Sequence, residues 1–281
     1  MLDSISFIGG GVMAEAIIQG LLDKNFVAPE NVTVSEPRDK RRVELTTRYG
    51  IQTTADNRAA ARAGALVVLC IKPQVLTRVL PELKGNLRDE QLLISILAGG
   101  RIATLAGGTG HNAIVRAMPN TPAQIGAGMT VWTVTSNVSE KQREQARAVF
   151  QALGKEMFVD DEKFLDMATA VSGTGPTYTF LVLEALIDAA VHLGFSRDQA
   201  HDIVLETMRG SILYAEKTGK HPAELRNQVT SPGGTSAEAI YQMEKGSLRT
   251  VLSKAVWAAY QKSVLLGETV GKGDLKKPVD A

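Results

Sequence analysis

The chain has 281 residues, 44% of them hydrophobic and 22% charged, with 31 Lys plus Arg against 30 Asp plus Glu and a net charge of +1. That composition excludes a disordered chain, and the charge balance argues against a dedicated nucleic-acid binder, which would carry a basic surplus. A single cysteine, Cys70, forbids an internal disulfide, and with the scattered His111, His192, His201 and His221 it gives no zinc-type spacing, so no metal site is expected.

Strands are predicted at residues 4–8, 32–36, 65–71, 92–96, 113–118 and 129–133, with helical stretches such as 13–22 and 38–49 between several of them. The run Leu66-Val67-Val68-Leu69-Cys70-Ile71 is continuously apolar, as a strand covered on both faces of a parallel sheet reads. Strand–helix–strand alternation implies right-handed crossovers and a doubly wound, Rossmann-type sheet. A helix at 139–153 and a strand at 156–159 close this half. After residues 160–162 the signals are almost all helical. Pro176 suits the first turn of a helix, and the run 178–193 is apolar at nearly every turn, with only Glu184 and Asp188 charged. Such a helix is expected to be buried, against a second subunit as well as its own domain. Further helices are predicted at 197–218, 222–229, 235–244 and 247–269, and the polar tail 271–281 is expected to fray. The fold class is therefore α/β plus all-α, with a single boundary near residue 160. The start, MLDSISFIGGG, lacks the basic residues and apolar core of a signal peptide, and no apolar run reaches the about 18–20 residues of a membrane span. No membrane partner and a reducing, cytoplasmic location are expected.

The first strand runs straight into Gly9-Gly10-Gly11-Val12-Met13-Ala14, a GxGxxA turn opening a helix. Gly9 allows the tight turn, Gly11 lets a pyrophosphate approach the main chain, and Ala14 permits close helix–strand packing; the helix N-terminus offers free N–H groups. Ser35 and Glu36 end the second strand, about 20 residues past the turn, where an acidic residue binds the ribose hydroxyls of NAD. Pro37 is followed by Arg38, Lys40, Arg41 and Arg42, a cluster that suits the 2′-phosphate of NADP or, alternatively, a solvated helix face. The segments Ile71-Lys72-Pro73-Gln74 and Ile96-Leu97-Ala98-Gly99 also lie at carboxyl ends of strands, where open α/β sheets bind ligands. Lys72 is read as a solvated lysine rather than a catalytic one. A rigid loop, Arg116-Ala117-Met118-Pro119-Asn120-Thr121-Pro122, follows another strand, and Ser172-Gly173-Thr174-Gly175-Pro176 precedes the apolar helix. Val229-Thr230-Ser231-Pro232-Gly233-Gly234-Thr235-Ser236 opens a later helix, and its N–H groups and hydroxyls suit a carboxylate or a simple helix cap.

Taken in order, FIGGGVMAEAI, IKPQ, RAMPNTP, AVSGTGPTY and ELRNQVTSPGGTSAEAI resemble the pyrroline-5-carboxylate reductases, over nearly the whole chain. TSPGGTS with its flanks is the most specific of these motifs and the GxGxxA turn the least. One departure is Ser236, where the family usually has Thr; the hydroxyl stays and a methyl is lost. The resemblance implies reduction of Δ1-pyrroline-5-carboxylate to L-proline by NAD(P)H, with NADP(H) favoured and NAD(H) open. It implies a nucleotide domain at 1–160 and a helical substrate-binding and dimerisation domain at 161–281. It implies homodimers assembled into decamers, with the active site between the nucleotide domain and the dimer's helices. The cofactor would be lined first by Ile8, Gly9, Gly10, Gly11, Val12 and Met13, then by Ser35, Glu36, Pro37, Arg38 and Asn57. Ile71, Lys72 and Pro73, then Ile96, Leu97 and Ala98, would follow, with Met118, Pro119 and Asn120 at the nicotinamide. The substrate carboxylate would be held by Ser231, Gly233, Gly234, Thr235 and Ser236, the Ser236 hydroxyl also meeting the ring nitrogen as the catalytic contact. Two alternatives stand beside this reading. A β-hydroxyacid dehydrogenase would use a lysine on the long helix of the second domain, but none occurs from Pro176 to Glu216. A non-catalytic dinucleotide-sensing oligomer would need only the first half.

Overall fold

The computed structural model describes residues 2–270; the polar tail, with the expectation that it frays, lies outside the described residues. The strands are β1 (Ile5–Ile8), β2 (Val32–Ser35), β3 (Gln52–Thr54), β4 (Leu66–Leu69), β5 (Leu92–Ser95), β6 (Ile114–Met118), β7 (Gly128–Val134) and β8 (Gly154–Phe158). They form one sheet in the order β3-β2-β1-β4-β5-β6-β7-β8. Every neighbouring pair is parallel except β6 and β7. The link between those two is too short for the crossover of about a dozen residues or more that parallel neighbours need. β3, absent from the predicted strands, is three polar residues at the sheet edge, with no apolar alternation to reveal it.

The helices of this half are α1 (Val12–Asp23), α2 (Asp39–Tyr49), α3 (Asn57–Ala63), α4 (Leu76–Leu83), α5 (Ile102–Thr109) and α6 (Glu140–Gln151). Alternate residues of β4 enter different cores. Leu66 and Val68 join a cluster with Ile17 and Leu21 of α1 and Phe150 of α6. Val67 and Leu69 join another with Ala60 of α3, Leu80 of α4 and Leu105 of α5. Opposite pointing of successive side chains, with helices over both faces, produces the unbroken apolar run.

The later helices are α7 (Lys163–Ala168), α8 (Gly175–His192), α9 (Arg197–Thr218), α10 (Pro222–Gln228), α11 (Thr235–Lys245) and α12 (Leu248–Val270), with one π-turn at Thr169–Gly173. By contacts, one compact unit runs to Gly175 and takes the chain back from Ala258; the other is Pro176–Trp257. The predicted boundary at 160 follows where strand patterning stops, whereas the contacts keep α7 and the end of α12 with the sheet. Arg116 of β6 pairs with Glu162 and Asp166, and Ser263 of α12 donates to Asp166. Gly99, at φ +72°, lies so close to α12 that a side chain there would meet the Leu266 backbone at 2.9 Å. The close approach this glycine permits is therefore to a helix of its own chain.

Among the described residues of Pro176–Trp257, only Ile187 and Ala200 are buried. Phe180 and Leu181 of α8 stand 57% and 65% exposed, against the expectation of a buried helix. The expectation included a second subunit; a single chain leaves that apolar surface open.

Candidate active site

The site begins where β1 stops. Gly9 takes φ +101°, which L side chains rarely adopt, and a Cβ there would stand 2.8 Å from the Cys70 carbonyl oxygen. Its N–H donates to the Ser35 carbonyl at 2.8 Å, tying the turn to the end of β2. Around Gly11 nothing lies within 4 Å of an added Cβ, so a ligand can reach the main chain there. Gly11 is also the N-cap of α1 and supplies no side-chain cap. The first-turn N–H groups and the positive end of the helix are thus offered to an anion.

Beside this turn is a cavity of about 410 Å³. Of the predicted cofactor residues, Gly9, Gly11, Ser35, Glu36, Pro37 and Arg38 line it, and so do Asn57, Ile71 and Lys72. Ser35 donates to Asn57 Oδ1 at 2.5 Å, and Asn57 donates to Glu82 at 2.7 Å, so the polar floor is an ordered chain of hydrogen bonds. Ile8, Gly10, Val12, Met13 and Pro73 sit in the same turns but outside the lining. Ile96, Leu97 and Ala98 after β5, and Met118, Pro119 and Asn120 at the end of β6, also lie outside the lining. The Met118 loop is held separately: Asn120 donates to the Ser172 carbonyl at 3.1 Å and accepts from Met129 N–H at 2.9 Å. A Cβ on Gly173 would meet Met118 Cε at 2.8 Å, so the π-turn rests on the loop. Sequence reading missed Ala55, Cys70, Val75, Arg78, Val79 and Glu82 as lining residues. Arg78 and Glu82 lie one helical turn apart on α4, an i, i+4 signal that was available.

Glu36 is 4% exposed and its carboxylate is heavily engaged. It accepts from Gly10 N–H at 3.2 Å, from Arg38 N–H at 3.1 Å and from Arg38 Nε at 2.8 Å, with Arg38 Nη2 at 3.4 Å. Burial alone would raise its pKa; the Arg38 and Gly10 hydrogen bonds and the Arg38 charge outweigh it and hold the carboxyl below its ordinary value. The basic cluster divides. Arg41 turns to Gly10 O at 2.9 Å, and Arg42 turns to Glu36 O at 2.8 Å and to Asp39. Of the four basic residues only Arg38, its side chain 69% exposed, lines the cavity. Arg38, Lys72 and Arg78 stand against Glu36 and Glu82 in the lining, an excess of one positive charge that favours an anionic ligand. The positive-φ turn, the open helix end and this donor set fit a phosphorylated dinucleotide.

In the other unit, Gly234 is the N-cap of α11 and gives no side-chain cap; Gly233 takes φ +69°. Gly234 N–H donates to Ser231 O at 3.0 Å, closing the turn, and a Cβ on Gly234 would meet Ser231 Oγ at 2.6 Å. Ser231, Gly233 and Thr235 are exposed, Gly234 and Ser236 half-buried. The first-turn N–H groups beside these hydroxyls form a second anion cradle. Among the described residues no cluster of His, Cys, Asp and Glu suits a metal. No described helix is long and apolar enough to cross a membrane.

Comparison with known proteins finds two family models. Residues 162–266 match pyrroline-5-carboxylate reductase dimerisation, and residues 4–99 match NADP oxidoreductase, coenzyme F420-dependent. The chain is 42% identical to a pyrroline-5-carboxylate reductase of Synechocystis over 94% of its own length and 98% of the relative's. It is 34% identical to that of Escherichia coli over 96% and 100%. Among solved structures, the Plasmodium falciparum enzyme with NADP bound superposes with TM-score 0.87 at 32% identity, covering 95% of this chain and 100% of that one. The Coxiella burnetii enzyme gives 0.86 at 35% identity, covering 95% and 99%.

Proposed function

The chain belongs to the pyrroline-5-carboxylate reductase family, and from that premise we propose that it reduces Δ1-pyrroline-5-carboxylate to L-proline with NADP(H), in the last step of proline formation. It is an NAD(P)H-dependent oxidoreductase acting on a CH–NH group. One observation carries the reading: the similarity runs through both halves, over 94% of the chain, and not through the dinucleotide half alone. A dinucleotide sensor would not need the TSPGGTS turn, and a hydroxyacid dehydrogenase would need a lysine that residues 176–216 lack.

The dinucleotide supplies the hydride when bound. The open N-terminus of α1 and the Gly9–Gly11 turn would hold its phosphates, Arg38 its 2′-phosphate, and the Met118–Asn120 loop its nicotinamide. The substrate is a cyclic imine bearing a carboxylate, and a protonated imine is already a strong electrophile. The residues of the second turn would therefore have mainly to orient the ring for hydride transfer. N–H groups at Gly233, Gly234 and Thr235 hold the carboxylate, with the Ser231 hydroxyl beside them. Ser236 donates or accepts at the ring nitrogen; a neutral serine is a weak acid, so its part is orientation.

Functionally, residues 1–160 bind nucleotide, and residues 161–281 bind substrate and join subunits. The family model on 162–266 supports a homo-oligomer. We infer a homodimer through the exposed apolar faces of the helical part, assembled into a decamer, in the cytoplasm. The test is NADPH consumption with pyrroline-5-carboxylate, set against 3-hydroxyacids with NADP+. Turnover of the imine alone supports the reading, and no turnover of the imine overturns it.

A further inference from the structure

Three consecutive glycines form the phosphate turn, the residues with the most backbone freedom to lose on ordering. Gly10, the middle one, is gripped on both sides of its backbone. Its N–H donates to Glu36 Oε2 at 3.2 Å, and its carbonyl accepts from Arg41 Nε at 2.9 Å. Arg41 is not only a partner of the turn. Its guanidinium also pairs with Glu15, in the first turn of α1, and with Glu44 at 2.9 Å. Glu15 is fixed in turn by Arg48 at 2.5 Å and by the Tyr49 hydroxyl at 2.9 Å, and its own N–H donates to Gly11 O at 3.0 Å. One side chain, only 14% exposed, thus joins the turn, the helix that follows it and α2, and it is absent from the cavity lining.

We propose that Arg41 is a positioning residue for dinucleotide binding. It holds the Gly10 peptide and the start of α1 so that the phosphate-facing N–H groups are in place before the ligand arrives. An ordered turn costs less entropy on binding than a free one. Releasing Gly10 O would let a glycine peptide rotate at little steric cost. The inference rests on reading the chain as an NADP(H)-dependent reductase, and it separates two neighbouring arginines. Arg38, lining the cavity, discriminates between phosphorylated and unphosphorylated dinucleotide. Arg41, behind the turn, sets affinity for both alike.

The experiment is equilibrium binding of NADPH and of NADH to the full-length protein without substrate, read by nucleotide fluorescence well below the melting temperature. Wild type, Arg41→Gln, Arg41→Lys, Glu15→Gln and Arg38→Ala are compared, with the melting temperature of each ligand-free protein. Arg41→Gln is expected to raise both dissociation constants by the same factor, about tenfold, as for one lost hydrogen bond from a charged donor. Arg41→Lys keeps the charge beside Glu15 but lacks the fork that reaches the carbonyl as well, so it restores the melting temperature and not the affinity. Glu15→Gln weakens both ligands in the same direction, and serves if Arg41→Gln does not fold. Unchanged dissociation constants with a lowered melting temperature would reduce Arg41 to a stabilising residue and overturn the proposal. A loss confined to NADPH would also overturn it, making Arg41 a direct 2′-phosphate contact. Failure of the wild type to bind either nucleotide would instead overturn the reductase reading.

Discussion

Ser263 donates a hydrogen bond to Asp166 at 2.9 Å across 97 residues of sequence. The same carboxylate faces Arg116 at 3.3 Å, and Arg116 reaches Glu162 at 2.8 Å. The Arg116 side chain is 2% exposed and that of Asp166 9%, so α7 and α12 are joined to β6 by charges that water barely reaches. Arg116→Met leaves Asp166 buried without its counter-charge. A stability loss of about 3 kcal/mol or more is expected, read from urea unfolding at fixed protein concentration. Ser263→Ala should cost only about 1 kcal/mol. A loss for Arg116→Met as small as that for Ser263→Ala would mean the pair is solvated.

How much of this was legible beforehand depended on the range of the interaction. The GxGxxA turn reads locally, because a strand, a positive φ at Gly9 and a helix start are properties of adjacent residues. The apolar run at Leu66–Leu69 reads as a doubly covered strand for the same reason. The basic run after Pro37 reads only as far as two alternatives, a 2′-phosphate contact or a solvated helix face. Composition gives four similar cations, and only the packing of α2 against α1 sends Arg41 to Gly10 and Glu15 while leaving Arg38 at the cavity. The partners of Arg116 were hidden likewise, since Asp166 and Ser263 come from distant helices with no pattern linking them. The neighbour of Gly99, α12, lies far along the chain, so no local pattern reveals that close approach.

The Glu36 carboxyl, held below its ordinary value of 4.5, gives a pH prediction. Its charged form is the one the fold stabilises. The contribution is therefore fully present above the unfolded pKa and disappears as pH falls through the lower native one. Glu36→Gln should be less stable than wild type at pH 7, and the gap in melting temperature should close below about pH 4. A gap that stays constant over that range would show that the charge on Glu36 contributes nothing to the fold.

Cys70 lies against the phosphate turn, half-buried and lining the nucleotide cavity, and burial pushes its thiol pKa up. A thiol that stays protonated is a poor nucleophile. The native protein should resist iodoacetamide at pH 8 and be alkylated at Cys70 only in denaturant. Rapid modification of the native protein, read by mass spectrometry, would show that the thiol is not held protonated.

On α8, Leu181 is 65% exposed and Phe180 57%. An apolar surface of that kind is expected to be covered by a second copy. Leu181→Glu should shift the protein to monomer in sedimentation and abolish turnover. NADPH affinity should survive, because every residue lining the nucleotide cavity lies in the compact unit that excludes Pro176–Trp257. An unchanged oligomer would remove α8 from the interface.

Ser236 lies in the first turn of α11, half-buried beside the uncapped Gly234. Truncation to Ala removes a hydroxyl and opens no core cavity, so the melting temperature should hardly move. If the hydroxyl orients the ring nitrogen as the imine is reduced, the loss falls on the transition state. Then kcat and kcat/KM drop together, by about tenfold for one hydrogen bond, with KM little changed. Ser236→Thr, which restores the residue usual in the family, should recover the rate. The shape of the pH–rate profile distinguishes orientation from proton donation. A true general acid leaves a titration limb that vanishes in the Ala variant, whereas an orienting hydroxyl lowers the whole profile in parallel. A parallel drop is the expected result, and wild-type kinetics in Ser236→Ala would remove the hydroxyl from the reaction.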